Sequence, residues 1–138
     1  MSLFDIFAIG SSGLAAQNTR LNLTASNLAN ANSVAGTADA AYRARHPVFS
    51  AVLSSIQNGH QAAGVKTERI IESSQEPLKQ YDPGHPLADA EGYIYTSNVN
   101  TAEEMTNMIS ATRSYQMNVE LMMASKRLLL KSLEIGKA

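Results

Sequence analysis

The sequence predicts a mainly α protein with a small β insertion, its long N- and C-terminal helices packed together as a coiled-coil-like hairpin. Three observations predict it. Leu14, Leu21 and Leu28 recur every seven residues, with Asn18, Ala25 and Asn32 at the intermediate spacing, which makes a heptad-like seam. Near the other end Met105, Met108, Thr112, Tyr115, Val119, Met122, Lys126, Leu129 and Leu133 follow alternating steps of three and four, and Ile109, Met123 and Leu130 widen that stripe. Between them, β-branched and aromatic residues collect in short runs bounded by turn formers. Residues 1–34 and 99–138 are therefore expected to form one discontinuous helical domain, and residues 35–98 a loop and small β-rich insertion.

The first helix is unusual in its charge. From Ile6 to Ala38 the only charged residue is Arg20, and "LNLTASNLANANS" is crowded with asparagine instead. A neutral amide offers donors and acceptors without the several-kcal/mol cost of burying a charge. A helix packed by neighbours on several sides can be polar on those terms, so Asn27, Asn30 and Asn32 are expected at an interface. Gly10 and Gly13 weaken the start of the helix by up to about 1 kcal/mol each relative to Ala, and its first turns are expected to order only against a partner. The helix should fade near Ala31.

From Asn32 to Arg45 the seam is lost and Gly36 intervenes, which reads as a loop. Pro47 restricts His46 to an extended conformation. The periodicity of "PVFSAVLSSIQNG" does not decide between helix and strand, and the proline favours an extended start. "VKTERIIES" and "GYIYTS", bounded by turn chemistry at "QNG" and "DPGHP", predict two or three short strands. After Asn98 the pattern changes again. Asn100 or Thr101 can cap a helix, with Glu103 or Glu104 completing a capping box. Gly136 supplies a stop, and Lys131 and Lys137 suit the negative end of the dipole. Such a helix is about 50 Å long at 1.5 Å per residue, longer than so small a globule can cover. Its stripe of Met105, Met108, Ile109, Tyr115, Val119, Met122, Leu129 and Leu133 therefore needs partners beyond the protomer.

Composition excludes several functions. A chain of 138 residues is one domain's worth. Its net charge of -1, with no basic stripe interleaved with aromatics, argues against nucleic acid as a partner. The absence of cysteine removes disulfides, thiolate metal sites and cysteine nucleophiles. The N-terminal apolar run is interrupted by Asp5 and has no preceding Lys or Arg, so neither a cleavable secretory signal nor a bilayer span is expected.

No chemistry-bearing constellation stands out. Asp82, His85 and Asp89 could be imagined around a metal, but "DPGHP" is dense in turn formers and reads as a tight bend. His46 and His60 stand apart from it. Glu103 and Glu104 are adjacent, face different directions on a helix, and sit where capping puts acids. Ser11, Ser12 and Ser26 lack the "GxSxG" elbow, and no phosphate-cradling glycine loop is present. No catalytic residue, cofactor or metal is expected.

"SGLAAQNTRLNLTASNLANANS" together with "NVNTAEEMTNMISATRSYQMNVELMMASKRLLLKSLEIG" resembles the paired terminal segments of bacterial flagellar rod and hook proteins. The intervening "YDPGHPLADAEGYIY" and the short chain resemble the proximal-rod members of that family, so the likeness runs nearly end to end. What it implies is a structural subunit of the basal-body rod, the shaft that crosses the periplasm and transmits torque, with no catalysis. It implies export as an unfolded chain through the flagellar type III apparatus. Implied partners are copies of itself, the rod proteins FlgB, FlgF and FlgG, and the adaptor FliE at the membrane ring. The sequence also admits a free regulatory coiled-coil dimer, which calls for charged flanking positions that the first helix lacks. A periplasmic cell-wall hydrolase would need a convergent acid or metal site that this sequence does not offer.

Overall fold

In a computed structural model, residues 3–53 and 63–135 are described. The elements run α1 (Leu3–Ala29), β1 (Val34–Ala35), β2 (Arg45–Leu53), β3 (Ala63–Glu72), β4 (Leu78–Tyr81), β5 (Tyr93–Thr96) and α2 (Thr101–Ile135). The two helices, of 27 and 35 residues, make up roughly half of the chain. Five strands build two antiparallel sheets, β1-β5-β4 and β2-β3. The β component is sizeable, which corrects the expectation of a mainly α chain with a small β insertion. The stretch whose periodicity was undecided is the reason. "RHPVFSAVL" is a strand throughout and pairs with β3 over nine residue pairs. Val48, Phe49 and Val52 favour that pleated geometry. The expected loop after Asn32 also contributes a strand, with Val34 opposite Thr96 and Ala35 opposite Tyr95.

The helices pack antiparallel. The Arg20 guanidinium donates to Asn107 Oδ1 at 3.0 Å, and farther along Gly13 faces Asn118 and Gly10 faces Met122. α1 is the middle layer, with α2 on one side and the β2-β3 hairpin on another. It begins at Leu3 and ends at Ala29, two residues before the expected fade, with Asn30 N–H bonded back to Ser26 O. Asn100 caps α2: its Oδ1 accepts the N–H groups of Ala102 and Glu103 at 3.1 and 3.3 Å. Gly136, Lys137, His60 and the "QNG" turn lie outside the described residues.

Polar joints hold the sheets to the helices. Asn98 Oδ1 accepts the Ala44 N–H and its Nδ2 donates to Gln75 O, while Ser97 N–H reaches Ser33 O. These bonds tie the segment entering α2 to the segment leaving α1. The β4-β5 connection closes through Gly92 at a φ of 81°, a left-handed backbone that side chains with a Cβ rarely adopt. Asp89 Oδ1 accepts the N–H groups of Glu91 and Tyr93, and His85 Nδ1 accepts that of Leu87. Two of the three side chains imagined around a metal, His85 and Asp89, are thus engaged in holding the bend.

Candidate assembly surface

The seam between α1 and α2 is built from small and polar residues. On α1 it runs through Gly10, Gly13, Arg20 and Thr24, and on α2 through Glu104, Asn107, Ala111, Asn118 and Ser125. A Cβ on Gly13 would stand 3.0 Å from Asn118 Nδ2. The glycines that looked like weak points for helix formation are where side chains of α2 reach the backbone of α1. Ser125 satisfies its buried hydroxyl within the helix by donating to Leu121 O at 2.8 Å. Glu104 is buried, with one carboxylate oxygen 4.0 Å from His46 Nδ1.

Met122 packs against Gly10, and the other large apolar side chains of α2 lie beside this seam rather than in it. At about 100° per residue, the long stripe of α2 falls on one flank. There Met105, Ile109, Tyr115, Met123, Leu130 and Leu133 are exposed, Ile109 to 57% and Leu133 to 60%. Met108, Val119, Met122 and Leu129 are half-buried at the margin of the seam. On the opposite flank a second apolar row, Met117, Leu121 and Leu128, is exposed too. Sequence reasoning passed over that row because its steps of four and seven lie off the main stripe. The spacing was nevertheless available as a signal.

Each expected interface residue of α1 and of the turn after it can be placed. Leu14, Leu21 and Leu28 are half-buried. Near the chain's start Leu14 joins Phe7, Val119, Met122, Met123 and Lys126 around an apolar hollow of about 290 Å³. Asn32 is exposed, and Asn30 is half-buried with its Nδ2 donating to Ser26 O at 2.9 Å. Asn27 is different. It is 0% exposed, and its carboxamide is occupied by its own chain: Nδ2 donates to Arg45 O at 3.0 Å, and Oδ1 accepts the Arg45 N–H at 2.9 Å and the Tyr42 hydroxyl at 3.0 Å. Of the three asparagines only Asn27 is fully buried, and what surrounds it is the start of the hairpin in the same protomer.

No group of three or more His, Asp or Glu side chains among the described residues could hold a metal ion. No helix among them is long and apolar enough to cross a membrane. What the arrangement offers is a rod-like helix pair that carries exposed methionine, leucine and isoleucine side chains on two flanks. Wet surface of this kind favours association with other helices.

Residues 7–36 match the family described as flagella basal body rod protein, and residues 90–135 match the family described as flagellar basal body rod FlgEFG protein C-terminal. Similar relatives include the flagellar basal-body rod proteins FlgC of Yersinia enterocolitica and Salmonella typhimurium. Each is 46% identical over 137 residues, spanning 99% of this chain and 100% of the relative. The FlgC protein of Bacillus subtilis is 37% identical over 150 residues with the same coverage.

Proposed function

The chain belongs to the FlgC family of flagellar basal-body rod proteins, structural subunits rather than enzymes, and we propose that it builds the proximal rod by stacking through both flanks of its helix pair. The observation that carries this reading is the inverted placement of side chains. Small and polar residues make the seam within the protomer, while the large apolar residues of α2 face outward on either side of it. A free subunit leaves that surface in water. Each Leu or Met side chain fully buried on stacking contributes roughly 1.5 to 3 kcal/mol before ordering costs.

The protein is a component of the flagellar basal body and associates with other components of it. Its neighbours are further copies of itself, the rod proteins FlgB, FlgF and FlgG, and the adaptor FliE at the membrane ring. The rod lies in the periplasm, reached through the type III export apparatus as an unfolded chain. Residues 1–34 and 99–138 form the assembling core, with 35–98 set on its side. A contact from one flank of a subunit to the other flank of the next is heterologous and need not close, so repetition produces a helical shaft. Many such contacts in parallel resist twisting together, which is what torque transmission needs.

Ile109→Asp tests the reading. Ile109 is exposed in the protomer, so the free subunit should keep its helical circular dichroism and its secretion. A carboxylate trapped in a packed contact costs several kcal/mol unless paired, so rods and swimming should be lost. Glu120→Asp, on the exposed face between the flanks, is the matched control. Normal motility of Ile109→Asp cells at equal protein level would remove this flank from the assembly contact.

A further inference from the structure

In an antiparallel ladder, residues alternate between those whose N–H and C=O face the partner strand and those whose groups point away from it. Two contacts fix that alternation in the β2-β3 hairpin. Arg45 points its N–H and C=O outward, since both bond Asn27. At the other end Ser12 Oγ accepts the N–H of Val65 at 3.1 Å, so Val65, and Ala51 opposite it, also point outward. Helix α1 therefore crosses the hairpin obliquely, from the outer edge of β2 near its base to the outer edge of β3 farther along.

Continuing the alternation puts Pro47, Phe49, Ala51 and Leu53 on the outer edge of β2. The base of that edge is closed, because Asn27 takes the groups of Arg45 and Pro47 has no N–H to offer. From Phe49 to Leu53 no second strand pairs with this edge among the described residues. Among the described residues β3 and α1 are the elements that pack broadly on β2, α2 approaching it near His46 and, with Arg20 and Thr24, near Phe49, and beyond Phe49 α1 lies toward β3. "VFSAVL" holds no charge and no proline, and Val52 and Leu53 are exposed. Folded proteins ordinarily blunt such an edge with Lys, Pro, a bulge or a very short strand; the pairing with β3 shifts register once, between Val48 and Phe49, and from Phe49 to Leu53 it runs regularly. Strand β4, at four residues and with Lys79 in it, is blunted in that way.

We propose that residues 49–53 of free subunits pair antiparallel with the same residues of a second copy, about a two-fold axis at Ala51. The segment is complementary to itself. Phe49 of one copy falls opposite Leu53 of the other, Ala51 opposite Ala51, and no like charges meet. The outward N–H and C=O groups of both copies are satisfied at once in a four-stranded sheet. Nothing charged in the segment selects a different partner strand. The contact is isologous and closes at two copies, so it is distinct from the open stacking of the rod and does not depend on it.

The test uses the purified full-length chain. The sequence has no cysteine, so Ala51→Cys introduces a single thiol. In the proposed pairing the two Cα atoms lie about 5.5 Å apart, within disulfide range. Mild oxidation should link Ala51→Cys chains at least tenfold faster than Leu78→Cys chains, whose thiol sits on exposed β4. Sedimentation of the unmodified chain should show twice the monomer mass at high concentration, and Ala51→Lys should halve it without loss of circular dichroism. Amide exchange at Phe49, Ala51 and Leu53 should slow as concentration rises. Equal linking rates, a monomer at every concentration, or pairing only with some other protein would each overturn the proposal. Ala51→Lys probes the strand edge and Ile109→Asp the rod contact, so either reading can fail alone.

Discussion

Gly10 lies against Met122 so closely that a Cβ added to the glycine would stand 2.9 Å from Met122 Cγ. Distances below 3 Å are not tolerated without movement, and the nearest atom is not the free end of the methionine but its middle. Gly10→Val is therefore expected to push α2 away and cost about 1 to 3 kcal/mol, the usual range for overpacking. The added helix propensity offsets less than about 1 kcal/mol of that. Thermal unfolding followed by circular dichroism checks it. Met122→Ala should recover part of the loss in the double variant, because it removes the clashing atoms. Additive losses would show that the two residues do not meet.

The Asn27 carboxamide joins the end of α1 to the start of β2 through three hydrogen bonds. Asn27→Leu keeps the branched shape but leaves the Arg45 N–H and C=O without partners. A buried unsatisfied group costs about 1 to 3 kcal/mol, so a drop of several degrees in melting temperature is expected. Tyr42→Phe removes one bond and should cost only about 0.5 to 1.5 kcal/mol. Amide exchange adds a local reading. The Arg45 amide should exchange faster in Asn27→Leu, and an unchanged rate would mean that the clamp does not protect it.

Asn27 also shows how far the sequence could be read. Its lack of charge in a periodic segment suggested an interface, whereas within the protomer the side chain is buried and held by its own chain. The identity of what packs against it depends on the turn from α1 into β2, for which "NSVAGTADAAYRAR" carries no periodic signal. The same limit explains the fold. The helices and the cap at Asn100 were legible from spacing and capping chemistry. The extent of β structure was not, because strand pairing between "RHPVFSAVL" and "AGVKTERIIE" is decided by cross-strand neighbours distant in sequence. Likewise the stripe on α2 was visible. That most of it would lie beside the helix seam follows from Gly10 and Gly13 admitting Met122 and Asn118 against α1, with Ala111 buried along that same line.

Asn100 sets the start of α2, and its side chain is the measurable part of that role. Asn100→Ala leaves the Ala102 and Glu103 N–H groups to solvent and should destabilise by about 1 kcal/mol. Asn100→Asp keeps the acceptor and adds a negative charge at the positive end of the helix dipole, so it should be neutral or slightly stabilising. Denaturant midpoints at unchanged slope separate the two. Equal losses from both variants would mean that the amide nitrogen, and not the oxygen, matters at this position.

Leu121 tests whether the second flank of α2 is used at all. Val119 is a poorer probe of assembly, because it lines the hollow with Phe7, Leu14 and Met122 and sits near Lys126. A carboxylate placed there would disturb the protomer itself and would have a cation within reach. Leu121 is 46% exposed on the other side of the seam. Substitution of an exposed residue away from special features typically changes stability by no more than about 0.5 kcal/mol, so Leu121→Asp should leave the free subunit's unfolding curve unchanged. If both flanks stack against neighbours, it should abolish rod assembly as completely as Ile109→Asp does. Co-expressing the two single variants adds a sharper comparison. In a contact that joins opposite flanks, an Ile109→Asp subunit retains a normal second flank and a Leu121→Asp subunit a normal first one. A mixture can then form pairs but cannot extend them, and short oligomers in the secreted fraction are the expected result. Full-length rods from Leu121→Asp alone would confine assembly to the first flank and exclude the opposite-flank contact.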